Sequence, residues 1–308
     1  MTSLRSQLDW GAFAPLRLKA RSVAEGVFAG SHKSPRKGAG VEFGGHRAYV
    51  PGDDLRFIDR HALMRHGELL IREFETETDR DLWLFVDATA SMSYRGPGAA
   101  GPKYGFAALI AAALAYVAVR TGDRVALDFL GGSSARSIPP RAGREAFERI
   151  VLALEDAEPA GDLSSDAERF ENALGQAQRS ARRGAVQIVL TDMLDLPPRS
   201  LELLGALTTR GRSLQVVQVL APAERDFPFE GALLLRSVEG STTVETDAAL
   251  SRQKYLEALS ETQRQAERQL VPRGGRLLKT VTSDAPEELV RKILSSSLGS
   301  PRAGLHDS

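Results

Sequence analysis

The sequence predicts an α/β fold: a central, mostly parallel β-sheet flanked by helices and preceded by an N-terminal extension. Three observations predict it. From residue 81 onward, five short runs are apolar nearly throughout rather than alternating, as strands covered on both faces are. Stretches of helical length separate them, and such alternation implies parallel strands joined by crossover helices. Residues 1–80 differ in character, with a glycine- and lysine-rich loop and a run of alternating acidic and basic residues.

The strands are LWLFVD (82–87), RVALDFL (124–130), VQIVLTD (186–192), LQVVQVL (214–220) and RLLKTV (276–281). Helices are expected at about 103–120, 142–156, 168–182, 199–210, 249–270 and 285–297. The GGSS at 131–134 reads as a hairpin into a short antiparallel edge strand near 135–138, closed by Pro139 and Pro140. Residues 232–238 and 242–246 flank Glu239-Gly240-Ser241, a second hairpin signal at the sheet edge. Upstream, Leu16 to Phe28 is amphipathic and leads into the loop GSHKSPRKGAGVEFGG. The division expected is an extension (1–80) packing on the main domain (81–298), with a frayed tail at 299–308.

Composition narrows the function. The 308 residues suffice for a large core, and 40 basic residues balance 40 acidic ones, so no global field draws the chain to nucleic acid or an anionic membrane. Cysteine is absent, which excludes disulfides, thiolate metal sites and a cysteine nucleophile. The N-terminus has no signal-peptide h-region, and the most apolar run, Phe106 to Val119, falls short of the roughly 20 residues of a membrane span. A cytoplasmic protein is expected. Residues 1–40 carry seven Lys/Arg against two acids, a solvated face or a docking face for an acidic partner or nucleic acid. The five histidines show no ligand spacing, and neither phosphate-binding glycine motifs nor GxSxG occur.

Two constellations carry possible chemistry. The first is Asp87-Ala88-Thr89-Ala90-Ser91, directly after the first strand, where open parallel sheets bind ligands. A carboxylate and two hydroxyls at alternate positions are three hard oxygen donors, suited to Mg²⁺ or Mn²⁺. Asp192 ends another strand and offers a second carboxylate. Either aspartate alone also reads as an Asx-turn or capping residue. The second constellation is Glu42 to Asp81, where Asp53, Asp54 and Asp59 alternate with Arg47, Arg56 and Arg60. It reads as a structural ion-pair network around a Pro51-Gly52 turn, or as the carboxylates of a metal-dependent hydrolase or nuclease. Glu73, Glu75, Glu77 and Asp79, at period two, read as the exposed face of an edge strand.

The strand followed by Asp87-x-Thr89-x-Ser91 is similar to the metal-ion-dependent adhesion site of von Willebrand factor A domains. Upstream, Arg47, Tyr49, Pro51, Gly52, Asp53, Asp54, Arg56, Ile58 and Asp59 match, in order, the signature of the domain-of-unknown-function-58 family, which precedes such a domain. Two positions depart from the pattern. Arg60 stands where the family has tryptophan, and Glu168 where the A-type fold supplies a ligating threonine, with Ser164 and Ser165 close by. The resemblance implies a von Willebrand factor A-like fold and a Mg²⁺ site of Asp87, Thr89, Ser91 and Asp192, with Ser165 as the displaced ligand. It further implies a non-enzymatic adaptor for a MoxR-type AAA+ ATPase, acting in protein maturation or complex assembly. Arg47, Tyr49, Asp53, Asp54, Arg56 and Asp59 would then belong to a second docking surface. The rival reading is a hydrolase or nuclease built on Glu42, Asp53, Asp54 and Asp59.

Overall fold

The computed structural model describes residues 15–29, 42–49, 58–59, 62, 64, 69–75, 80–163, 167–194, 196–197, 199–236 and 243–298. The chain divides into two compact units, residues 28–79 and the remainder, and the described residues 15–27 group with the main unit. In the smaller unit β1 (Glu42–Ala48) pairs antiparallel with β2 (Leu70–Glu75). The register shifts between Phe43 and Gly45, where two consecutive glycines accommodate a bulge. Glu73 and Glu75 lie on β2; Glu77, Asp79 and the Pro51-Gly52 turn lie outside the described residues.

The main unit is built on β3 (Asp81–Asp87), β4 (Arg124–Leu130), β5 (Ile138–Arg141), β6 (Val186–Thr191), β7 (Ser213–Leu220) and β10 (Gly275–Val281). They form one sheet in the order β10-β7-β6-β3-β4-β5, parallel throughout except for β5. All seven residues of β3 are buried, which explains the unbroken apolar run: the strand is central and covered on both sides. Leu82, Leu84 and Val86 face one core layer, with Leu127, Leu190 and Val217. Trp83 and Phe85 face the other, with Val189 and Val216.

The first layer is covered by α1 (Leu16–Ala29), α2 (Lys103–Arg120), α3 (Arg144–Asp156) and α8 (Pro286–Leu298). The second is covered by α4 (Ala167–Ser180), α5 (Ser200–Ala206) and α7 (Ala248–Leu270). Among the described residues α2 is the one helix long and apolar enough to cross a membrane. Here it is a core helix, enclosed by its neighbours almost all round, and its alanines let the backbone lie close to the sheet. α1 contributes Leu16, Ala20, Val23 and Val27 to the same layer, as its amphipathic spacing predicts.

Three elements differ from the sequence expectation. The prolines expected to close the edge strand lie inside it: β5 spans Ile138–Arg141 and pairs through Leu127–Ile138 and Val125–Arg141. Only an edge position tolerates residues without an amide hydrogen. The helix expected over 199–210 stops at Ala206, and Arg210 takes a left-handed conformation (φ +61°) in the turn that follows. The second hairpin, β8 (Ala232–Arg236) with β9 (Thr243–Asp247), is a separate two-stranded ladder rather than an edge of the main sheet. The expected tail, 299–308, lies outside the described residues.

Candidate functional site at the carboxyl end of the sheet

The chain runs from β3 outward to β4 and β5, then returns to the other side of β3 as β6. The loops after β3 and β6 therefore diverge in opposite directions, the switch point at which open α/β sheets have their ligand crevice. Asp87 is the last residue of β3, Thr191 is the last residue of β6, and Asp192 follows it directly. Asp87, Thr89, Ser91, Thr191 and Asp192 are all buried.

The Asp87 carboxylate accepts from the Thr89 amide at 2.9 Å and the Thr89 hydroxyl at 2.7 Å, both on Oδ1. Its Oδ2 accepts from the Thr191 hydroxyl at 2.6 Å. Thr89 Oγ1 and Ser91 Oγ lie 3.0 Å apart; since the single Thr89 proton goes to Asp87, Ser91 is the donor in that contact. Thr191 Oγ1 in turn accepts the Met193 amide at 3.0 Å. Alternate spacing of Asp87, Thr89 and Ser91 is thus a self-satisfied hydrogen-bonded turn. Burial, followed by the charge of Asp192, pushes the Asp87 carboxyl up to about 7, and the Thr191 and Thr89 hydrogen bonds oppose that rise.

Close backbone approach fixes the turn. Ala88 N donates to Leu130 O at 2.9 Å, and Ala90 N to Gly161 O at 2.9 Å. Gly131 and Gly132 pass so near that a Cβ on them would come within 2.8 Å of Thr89 Cγ2 and 2.7 Å of Ala88 Cβ. Both have positive φ, so a side chain is excluded there by backbone strain as well as by space. Beyond Asp192, Met193 holds a φ of +61° although its side chain is buried, a strained position at the site's edge.

Asp192 is bound differently. Its Oδ1 accepts the Leu194 amide at 2.9 Å, and its Oδ2 accepts from Lys103 Nζ at 2.8 Å. The same ammonium donates to Glu224 Oε1 at 2.7 Å. Glu224 sits in the short α6 (Pro222–Asp226) after β7, with its Oε2 on the Ala221 amide at 2.7 Å. Lys103 and Asp192 are both fully enclosed, and the Tyr94 ring lies 5.8 Å from the ammonium. Burial alone would lower the lysine pKa, but Asp192 and Glu224 together hold it above its ordinary range. Burial raises Glu224, with Lys103 opposing.

Of the predicted ligands, the structure brings Asp87, Thr89 and Ser91 into one hydrogen-bonded group and sets Asp192 close enough for its charge to act on Asp87. Ser164 and Ser165 lie outside the described residues. Glu168 is exposed in the first turn of α4. Lys103, Thr191 and Glu224 were missed, and a signal existed for the first. A lysine opening an otherwise apolar helix places a cation at the positive end of the helix dipole, which needs nearby carboxylates.

Among the described residues, the donor set does not fit a divalent ion while Lys103 is in place. Its ammonium already takes an oxygen of Asp192, and a second cation beside it is disfavoured by like-charge repulsion. Among the described residues no group of three His, Asp or Glu side chains is gathered to hold a metal.

In the smaller unit, the Asp59 side chain accepts the Ala62 amide at 3.1 Å while its own amide donates to Leu70 O at 2.8 Å. Tyr49 N donates to Leu69 O at 2.9 Å, extending the β1–β2 ladder. These are structural contacts. Arg47 and Glu42 lie on β1, and Asp53, Asp54 and Arg56 lie outside the described residues.

A central strand flanked by parallel neighbours, one antiparallel edge and aspartates at two strand ends give the main unit a von Willebrand factor A-like fold. The chain belongs to the family described as "Protein of unknown function DUF58", whose model matches residues 45–266. Uncharacterized proteins of Mycobacterium bovis and Mycobacterium tuberculosis are 28% identical over 240 residues, covering 76% of this chain and 72% of theirs. Among solved structures, BatB of Bacteroides thetaiotaomicron is 13% identical with a TM-score of 0.44, covering 72% of this chain and 100% of that one. An aerotolerance-related membrane protein of Bacteroides fragilis is 14% identical with a TM-score of 0.45 and the same coverage. At such distances the fold rests on the strand order of the chain itself.

Proposed function

We propose that this chain is a non-enzymatic adaptor that docks a protein partner at the carboxyl end of its sheet. The partner is a MoxR-type AAA+ ATPase, and the pair acts in the cytoplasm in protein maturation or complex assembly. The observation that carries the reading is the state of the polar groups at the crevice. Both oxygens of Asp87 and both oxygens of Asp192 are engaged by donors of the chain, and all lie buried. A catalytic base or nucleophile needs a lone pair aimed at substrate. A rigid, internally satisfied platform suits recognition by the loops around it. Arg47, Tyr49, Asp53, Asp54, Arg56 and Asp59 supply a second docking surface in this reading.

The test is reconstitution with a MoxR-type ATPase. The adaptor reading expects co-purification and a changed ATP hydrolysis rate, with Asp53→Asn/Asp54→Asn weakening the complex. A complex that neither forms nor alters hydrolysis would sink it, as would substrate turnover by the chain alone that this double variant abolishes.

A further inference from the structure

We infer that the ε-ammonium of Lys103 is the resident cation of the crevice, holding Asp192 out of the donor set that a divalent ion would need, so that the site keeps its form without metal. The inference concerns the chain's own residues and is independent of which partner docks there.

The geometry supports it in three ways. The ammonium bridges carboxylates from two neighbouring strand ends, Asp192 after β6 at 2.8 Å and Glu224 after β7 at 2.7 Å. Tying separate loops together through one positive centre is the structural task of a bound cation. Next, Lys103 is the first residue of α2, where the helix dipole and full burial both oppose a positive charge. A lysine is stable there only because it is paired, so its carboxylates are part of its placement. Finally, Asp87 does not touch the ammonium: its oxygens are taken by Thr89 and Thr191. Of the hydroxyls in the adhesion-type motif, Thr89 donates to Asp87 and Ser91 donates to Thr89, and the cation sits on the adjacent carboxylate.

Metal titrations of the full chain decide the matter. Calorimetry of the wild type with Mn²⁺ alone should show no saturable heat, and Mg²⁺ should not shift its melting temperature. Lys103→Ala opens space between two unpaired carboxylates, and Mg²⁺ at about a hundredfold over its Kd should then raise the melting temperature by roughly 5 °C. Saturable Mn²⁺ binding by the wild type that Asp87→Ala removes would overturn the inference. A folded Lys103→Ala that ignores Mg²⁺ would overturn it too. If Lys103→Ala fails to fold, the wild-type titration alone decides: no saturable heat upholds the tethered cation, and Asp87-dependent heat refutes it.

Discussion

Strand β3 begins and ends in aspartate, both fully buried, yet the two are handled in opposite ways. At its start, Asp81 Oδ1 takes Arg124 Nε at 2.8 Å and Nη2 at 2.7 Å, while Oδ2 takes the Arg182 amide at 3.2 Å. The arginine keeps 26% of its side chain in solvent, so the pair bridges core and water. At the strand's end, Asp87 is held by hydroxyls and an amide, with no cation in direct contact among the described residues, and the Lys103 ammonium serves Asp192 and Glu224. Residue type, strand and burial are the same. What differs is the neighbour: a guanidinium anchors the lower end, whereas the upper end gathers carboxylates around a shared and wholly enclosed lysine.

The contrast can be broken at either end. The largest effect is expected for Lys103→Met, which leaves Asp192 and Glu224 facing each other without a counter-ion. Urea unfolding at pH 7 should show a loss of about 3–5 kcal/mol. A buried acid in the neighbouring strand gives the next effect. Asp128 lies opposite Phe85 in register, and burial raises its carboxyl to about 6 from 3.8, with a Ser137 hydrogen bond opposing the rise. A raised folded value means that its contribution to stability is complete below about pH 4 and is lost as pH rises through 6, on the order of 3 kcal/mol in all. Asp128→Asn should flatten that part of the stability profile between pH 4 and 7, measured by denaturant midpoints across the range.

Asp81→Ala should cost about 1–3 kcal/mol, because the partly exposed Arg124 can turn to water once its partner is gone. Partner binding should be unchanged, since the lesion sits at the far end of the sheet; a lost complex would erase the division of roles between the two ends. The smallest effect belongs to Thr191→Val, which removes one hydroxyl from Asp87. It should cost about 1 kcal/mol in thermal or urea unfolding.

Periodicity located the strands within a residue or so, because a sheet covered on both faces writes itself as apolar runs. Helix α2 was legible for the same reason, its apolar stretch matching Lys103–Arg120. Asp87, Thr89 and Ser91 stood out by their spacing, which the turn does use, with the Thr89 hydroxyl bonded to the aspartate and Ser91 bonded to Thr89. Lys103 was not read as part of the site because its partners are distant in sequence: Asp192 is 89 residues away and Glu224 121. Only the crossover from β5 back to β6 brings them together. The prolines of β5 misled for the opposite reason. A local rule says that they end strands, and the exception depends on knowing which strand is outermost.

Those prolines have a consequence for assembly. Two of the four residues of β5 bring no amide hydrogen, so a strand arriving along that margin finds an incomplete ladder. The sheet is terminated sideways at this boundary. Lateral annealing with a second copy, or capture of an extended peptide, is disfavoured there, and traffic with other molecules is turned from the flank toward the loops at the strand tips.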